Sequence, residues 1–448
     1  MLQDLARRLL LSDAASPSGD NPPGGVTLID LRLDRLVALG LVGPALDLLK
    51  ILPDTMTDET TDQTGIELRF ANDDATGACN DVAGKMVRYT DPWWARALIA
   101  CQALSGDSAK AQLGQQLLAD QNAPRDPGFD ALVDRLGGGK DKITSLADPS
   151  PIKLTLLAAA KQKLPDDALA NASLSGLRFW ALDAQIPPEQ RLAAAERAAL
   201  YGAIRPDDLG AVYDGIASKQ EAASVIAKSG KKPLDARGRA LLYQVAHNSS
   251  DPVQRRAAIS ALLADAKQRG CFATTALLLA GATSGVPVDG SNVDFAAVAA
   301  RVLLVTGAAD KAEPWIAAAE SKSLALLARW ASAGPAQPGD AQLLQDALAE
   351  LASRNPNASP RQADLLNGLA TALGAPTLAA ATAPPAGQGA AAKDVGETVL
   401  TVLLTASSGS GLTADPVVLA HAVAGLRQAG LDAEARKLAI EAAISAGI

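Results

Sequence analysis

Aromatic side chains are scarce here: five Phe, five Trp and four Tyr amount to 3% of 448 residues. The 48% hydrophobic content therefore comes mainly from Ala, Leu, Val and Ile, a small-residue core that lets helices approach closely. The β-branched and aromatic runs that announce strands are also lacking, whereas Ala and Leu are strong helix formers, so the expected fold is all-α with essentially no β-sheet. There are only two histidines, His247 and His421, and three cysteines, Cys79, Cys101 and Cys271. No Cys-x-x-Cys occurs, which argues against a zinc site, and neither histidine stands beside a nucleophile motif. No apolar run approaches the ~18 to 20 residues needed to cross a bilayer, so no transmembrane segment is expected. Positive charge is not in excess either. With 41 Lys and Arg against 49 Asp and Glu, the net charge of −8 is opposite to that of a nucleic-acid binder. Short basic pairs such as Lys231-Lys232 and Arg255-Arg256 read as solvated helix surface.

The chain is too long for one ordinary core, which leaves several domains or one extended array. Helix starts are written repeatedly as an acceptor side chain followed by proline: Asp91-Pro92, Asp126-Pro127, Ser150-Pro151, Asp251-Pro252, Ser359-Pro360 and Asp415-Pro416. Residues 12–25 are too rich in Ser, Pro and Gly to bury apolar surface and read as a linker after a short first helix at about 2–11. An Ala/Pro/Gly-rich stretch near 374–395, with Pro384-Pro385, reads as a flexible excursion. The expected divisions are 1–26, 27–145, 146–373, 374–395 and 396–448.

A glycine followed five residues later by an alanine recurs between helical stripes, at Gly40/Ala45, Gly106/Ala111, Gly307/Ala312 and Gly430/Ala435. The glycine can end one helix in the left-handed conformation, and the small alanine lies in the next helix where it can pack on the first. Gly106-Asp107-Ser108-Ala109-Lys110-Ala111 resembles the Gly-Asp-x-x-x-Ala junction of tetratricopeptide-repeat proteins, and Gly430 to Ala435 shares its spacing. The resemblance implies an irregular right-handed α-solenoid of antiparallel helix hairpins. It covers the junctions alone, which lie 66, 201 and 123 residues apart rather than at the family's 34-residue period. Several ordinary helical bundles are the alternative, and no ligand contacts carry over.

Two cysteines invite geometry. Ala75, Cys79, Val82, Met86 and Tyr89 form one helical stripe, and Trp94, Ala97, Cys101 and Leu104 another. Each cysteine lies eleven residues from Thr90, at the turn between the two stripes, so a hairpin would bring Cys79 and Cys101 to the same height. They are either a disulfide or two reduced, small core residues. A disulfide would place the chain in an oxidising space such as the bacterial periplasm, its signal peptide removed. The N-terminal Met1-Leu2-Gln3-Asp4, which lacks a basic segment before an apolar one, points by itself to the cytoplasm.

Catalytic motifs are not found. Gly137-Gly138-Gly139-Lys140 lacks the framework of a phosphate loop and reads as a helix-terminating loop, and residues 407–411 read as a flexible connection. Glu320-Ser321 resembles the Glu-Ser of superhelical lytic transglycosylases without the continuation that family shows. Trp93-Trp94 is the densest aromatic feature, with Phe179-Trp180 next. Trp94 shares the Cys101 stripe and reads as core, whereas Trp93 is the candidate partner-binding residue. Trp315 and Trp330 read as packing residues. The expectation is a non-enzymatic interaction or scaffold protein without cofactor or metal, with protein partners and a capacity to form homo-oligomers. The Ala/Gly-heavy composition points to a bacterium, and a Cys79–Cys101 disulfide would point to its cell envelope. The rivals are an enzyme acting on envelope polysaccharide through carboxylates such as Asp73, Asp74 or Glu320, and a self-associating structural protein whose terminal pair, 415–446, stacks on another copy.

Overall fold

A computed structural model describes residues 1–13, 27–52, 57–332, 334, 337, 339–354, 359–374, 395–408 and 411–448. Nearly all of residues 12–25 and 374–395, expected to be a linker and an excursion, lie outside them. Among the described residues the chain is all-helical, with 25 α-helices. The only strands there are Ser407–Ser408 and Gly411–Leu412, which pair as a two-residue antiparallel ladder. Ser407, Ser408 and Gly411, read as part of a flexible connection, lie in that ladder, and residues 409 and 410 lie outside the described residues. Among the described residues no helix is long and apolar enough to cross a membrane.

The chain divides into two compact units, one of Leu10–Gly215 and one of Met1–Leu9 with Ile216–Ile448. The break at 215/216 falls inside a stretch, 146–373, whose composition marks no boundary. Most packing in each unit is between consecutive helices. In the first, the helix Leu174–Leu182 also packs on Leu28–Ala38, Glu59–Ala71 and Pro151–Ala159, with Trp180 wholly buried and its indole N–H donated to the Gln190 carbonyl at 3.1 Å. In the second, Asp432–Ser445 packs on Pro416–Gln428, Ala296–Val305, Lys322–Ala331 and Ser359–Ala372. Beyond its first turn it buries most of its circumference and leaves the stripe of Lys437, Glu441 and Ser445 unburied.

The four glycine junctions fold as their spacing predicts. Gly40, Gly106, Gly307 and Gly430 all have φ between 70° and 82°, Ala45, Ala111, Ala312 and Ala435 are wholly buried, and the flanking helices pack on each other in every case. At Gly40 a second constraint adds to the backbone one, because a Cβ there would lie 2.6 Å from that of Ala203.

Five of the acceptor-proline starts cap helices as expected: Asp91, Asp126, Ser150, Asp251 and Asp415 are N-caps with proline in the first turn. Ser150 is the exception in mechanism, since its side chain caps nothing. The free Ile152 N–H is instead taken by Glu67 Oε2, at 3.0 Å, from the helix Glu59–Ala71. Lys153, buried beside it, pairs with Asp126 at 2.7 Å and Asp148 at 3.2 Å. Burial pushes the Glu67 carboxyl up to about 7, against the lowering effect of the Ile152 N–H, the Ser150 hydroxyl and Lys153.

The sign of the linkage follows. A carboxyl whose folded pKa lies above its unfolded value of 4.5 holds its proton longer in the native state. Stability is then greatest below the unfolded value and falls as pH rises toward 7. Glu67→Gln keeps the acceptor and removes the charge. Urea unfolding at pH 5 and pH 8 should show the variant gaining roughly 1 to 2 kcal/mol relative to wild type at the higher pH, a figure discounted because the side chain keeps some solvent contact. Parallel pH profiles for the two proteins would contradict this account.

Candidate functional site

The Asp58 carboxylate accepts the Thr61 N–H at 2.8 Å and starts the helix Glu59–Ala71. Glu59 and Asp62, three residues apart, then lie on neighbouring positions of one face. Both receive donors from the segment that follows the helix Ala75–Lys85. Tyr89 Oη donates to Asp62 Oδ2 at 2.8 Å, Lys85 Nζ donates to Asp62 Oδ1, and Trp94 Nε1 donates to Glu59 Oε1 at 2.9 Å. Asp62 is buried, so these donors replace the water it has lost. Burial, followed by the hydrogen bond to Asp62, raises the Tyr89 phenol above its ordinary pKa and keeps it a donor.

With their polar ends tied to one helix, the rings of Tyr89 and Trp94 stack at 4.9 Å and 19°. Trp93 meets Trp94 edge-on at 5.1 Å and 82°. Trp94 is 1% exposed, as its place on the Cys101 stripe predicts, while Trp93 is half-buried. Cys79, on Ala75–Lys85, and Cys101, on Pro92–Leu104, form a disulfide with Cα atoms 5.5 Å apart. The equal distances from Thr90 thus bring the two cysteines together. Cys271 is free and buried.

The stripe that sequence reading extended to Tyr89 ends sooner, because the helix stops at Lys85. Residues 86–91 become a turn outside it, and the turn carries the exposed groups: Val87 is 85% exposed, and the Arg88 guanidinium lies 5.6 Å from the centre of the Tyr89 ring. Val87, Arg88 and Trp93 form a corner around the two anchored rings, at the closed end of a hairpin that the disulfide ties eight residues further along each helix. Sequence reading found Trp93 and the cysteines but missed Glu59 and Asp62. Their partners lie 35 and 27 residues away, and nothing local marks an acid that will be buried.

The carboxylates considered for acid-base chemistry are placed as follows. Asp74 caps the helix Ala75–Lys85, accepting the Gly77 N–H at 2.9 Å, and pairs with Arg69. Asp73 sits in a left-handed turn with φ 60°, its carboxyl raised by desolvation and then by Asp183. Glu320 is an exposed left-handed cap in the other unit. Ser321 beside it caps the helix Lys322–Ala331 and donates to Glu350 at 3.0 Å, so Glu320-Ser321 forms the junction between two helices. His247 meets Tyr243 at a tilt of 38° with ring centres 4.3 Å apart, and His421 is exposed on Pro416–Gln428. Gly137 and Gly138 terminate the helix Pro127–Leu136, and Phe179, Trp315 and Trp330 are buried. No group of side chains suited to a metal ion occurs among the described residues. No family model, curated protein or solved structure matches the chain.

Proposed function

We propose that this chain is a non-enzymatic interaction protein, an irregular helix-pair scaffold of the solenoid kind that serves a protein assembly in an oxidising compartment. The bacterial periplasm is the setting that fits best. The observation that carries the reading is the corner at Val87, Arg88 and Trp93. Tryptophan and arginine dominate binding hot spots, and a surface held in place before binding loses little freedom on association. Here the Cys79–Cys101 bond and the Tyr89–Trp94 stack supply that rigidity. The disulfide also supports the compartment, since structural disulfides persist where thiols are oxidised.

A photo-crosslinking amino acid placed at Val87 tests the proposal in the native compartment. The expected result is one discrete protein adduct, which Trp93→Ala abolishes at a cost in stability of roughly 2 to 3 kcal/mol, because a half-buried indole removes about 100 Å² from water; circular dichroism checks that the variant remains folded. An adduct indifferent to Trp93→Ala, or none, would overturn the assignment of this corner. Self-association is a second reading, favoured by Leu400 and Leu404, both exposed on the helix Val395–Ala406. Light scattering across a concentration series separates a self-assembling protein from a monomeric adaptor.

A further inference from the structure

In the unit that contains Ile216–Ile448, a cavity of about 30 Å³ lies beside the helices Lys322–Ala331 and Asp432–Ser445. That is room for about two or three water-sized groups. Its apolar walls are Leu326 and Leu373, and Gly334 is exposed at its edge. The polar groups around it are unequally matched. Asp340 is fully engaged, accepting Arg329 Nε at 2.8 Å, Arg329 Nη2 at 3.2 Å and the Gln337 N–H at 2.8 Å.

Trp330 is 4% exposed, and among the described residues its indole N–H finds no acceptor. Arg436 gives Nη1 to the carbonyls of Trp330 and Ser332, each at 3.0 Å, and Nη2 to that of Gly334 at 3.4 Å. Among the described residues no carboxylate neutralises it. An indole nitrogen can only donate, and a guanidinium has five N–H groups and no acceptor. The cavity therefore combines an unanswered buried donor, an unpaired positive charge and two apolar walls.

We propose that this cavity binds a carboxylate. One oxygen accepts the Trp330 indole N–H, the other faces the Arg436 guanidinium, and the carbon that bears the group lies against Leu326 and Leu373. A planar carboxylate can present one oxygen to each of the two donors while its carbon stays on the apolar side. The carboxylate comes either from a small free acid or from the C-terminus of a peptide. The site is independent of the Trp93 corner.

The test uses the full chain carrying 15N-labelled tryptophan, with Trp330→Phe to assign the Trp330 indole resonance. Sodium acetate, compared with sodium chloride at equal ionic strength, should shift that resonance saturably, and chloride should not. Acetate should also raise Tm above its value in chloride, since a ligand that binds only the native state stabilises it, and Trp330→Phe should lose the difference. Arg436→Lys, which keeps the charge but not the planar fork, should weaken acetate at least tenfold. A short peptide with a free C-terminus that binds at least tenfold more tightly than both acetate and its amidated form identifies the source as a chain terminus, and equal affinity for acetate identifies a small acid. The proposal falls if no anion shifts the Trp330 resonance, if chloride shifts it as acetate does, or if Trp330→Phe keeps the acetate-dependent gain in Tm.

Discussion

Reducing the Cys79–Cys101 disulfide is expected to destabilise the Leu10–Gly215 unit by about 3 kcal/mol, the loop-closure entropy released by a bond of sequence separation 22. For a unit of this size that corresponds to a fall in Tm of roughly 6 to 12 °C. Thermal unfolding with and without dithiothreitol measures it. The variant Cys79→Ala/Cys101→Ala should start at the lower Tm and show no response to the reductant, because Cys271 has no partner to lose. The effect should also reach the corner. Val87, Arg88 and Trp93 lie on the segment that the bond closes, so reduction should weaken the Val87 adduct even at temperatures where the unit remains folded. If dithiothreitol left Tm unchanged in protein shown to be oxidised, the bond would not be a determinant of stability.

A loss of about 3 to 5 kcal/mol is expected from Asp265→Ala in the other unit. Asp265 is 1% exposed on the helix Pro252–Gln268. Its Oδ1 accepts the Leu234 N–H at 2.8 Å, and its Oδ2 accepts Arg269 Nε at 2.8 Å with Arg239 Nη1 at 3.9 Å. Arg239 is itself buried and donates to the Leu234 carbonyl. Removing the carboxylate strands the Leu234 N–H and takes an acceptor from Arg269 and a close countercharge from Arg239, and breaking a buried pair by removing one partner costs more than the intact pair contributes. Asp265→Asn retains one acceptor oxygen and should lose less than Asp265→Ala. Urea unfolding of the three proteins provides the comparison, and equal stability for wild type and Asp265→Ala would mean that the carboxylate is not a determinant of stability.

These two predictions mark where local sequence is informative and where it is not. Caps and junctions are local: Asp91-Pro92 or Gly106 to Ala111 fits within six residues, and the physics that selects each type acts within one turn of helix. The cysteine pair was legible for the same reason, because a hairpin turns distance along the chain into height. The polar anchors are different. Asp62, Glu67 and Asp265 look like the solvated acids around them, and only the arrival of Tyr89, Ile152 and Leu234 from other segments makes them buried acceptors. The missing cap at Ser150 shows the limit. Ser-Pro correctly marked the start of a helix, but the acceptor for Ile152 came from Glu67, 85 residues away.

The division of the chain has a consequence for its synthesis. All but the last residue of the helix Leu2–Leu10 leaves the ribosome before the Leu10–Gly215 unit. Its Arg8, however, pairs with Glu434 at 2.7 Å, across 426 positions of sequence. The Leu10–Gly215 unit has all its own residues while much of the second is still unmade, so it can fold first, whereas the leading helix must wait until Asp432–Ser445 has been translated. A contact so distant in sequence forms late, after the entropy of closing the intervening chain has been reduced by folding of the segment inside it.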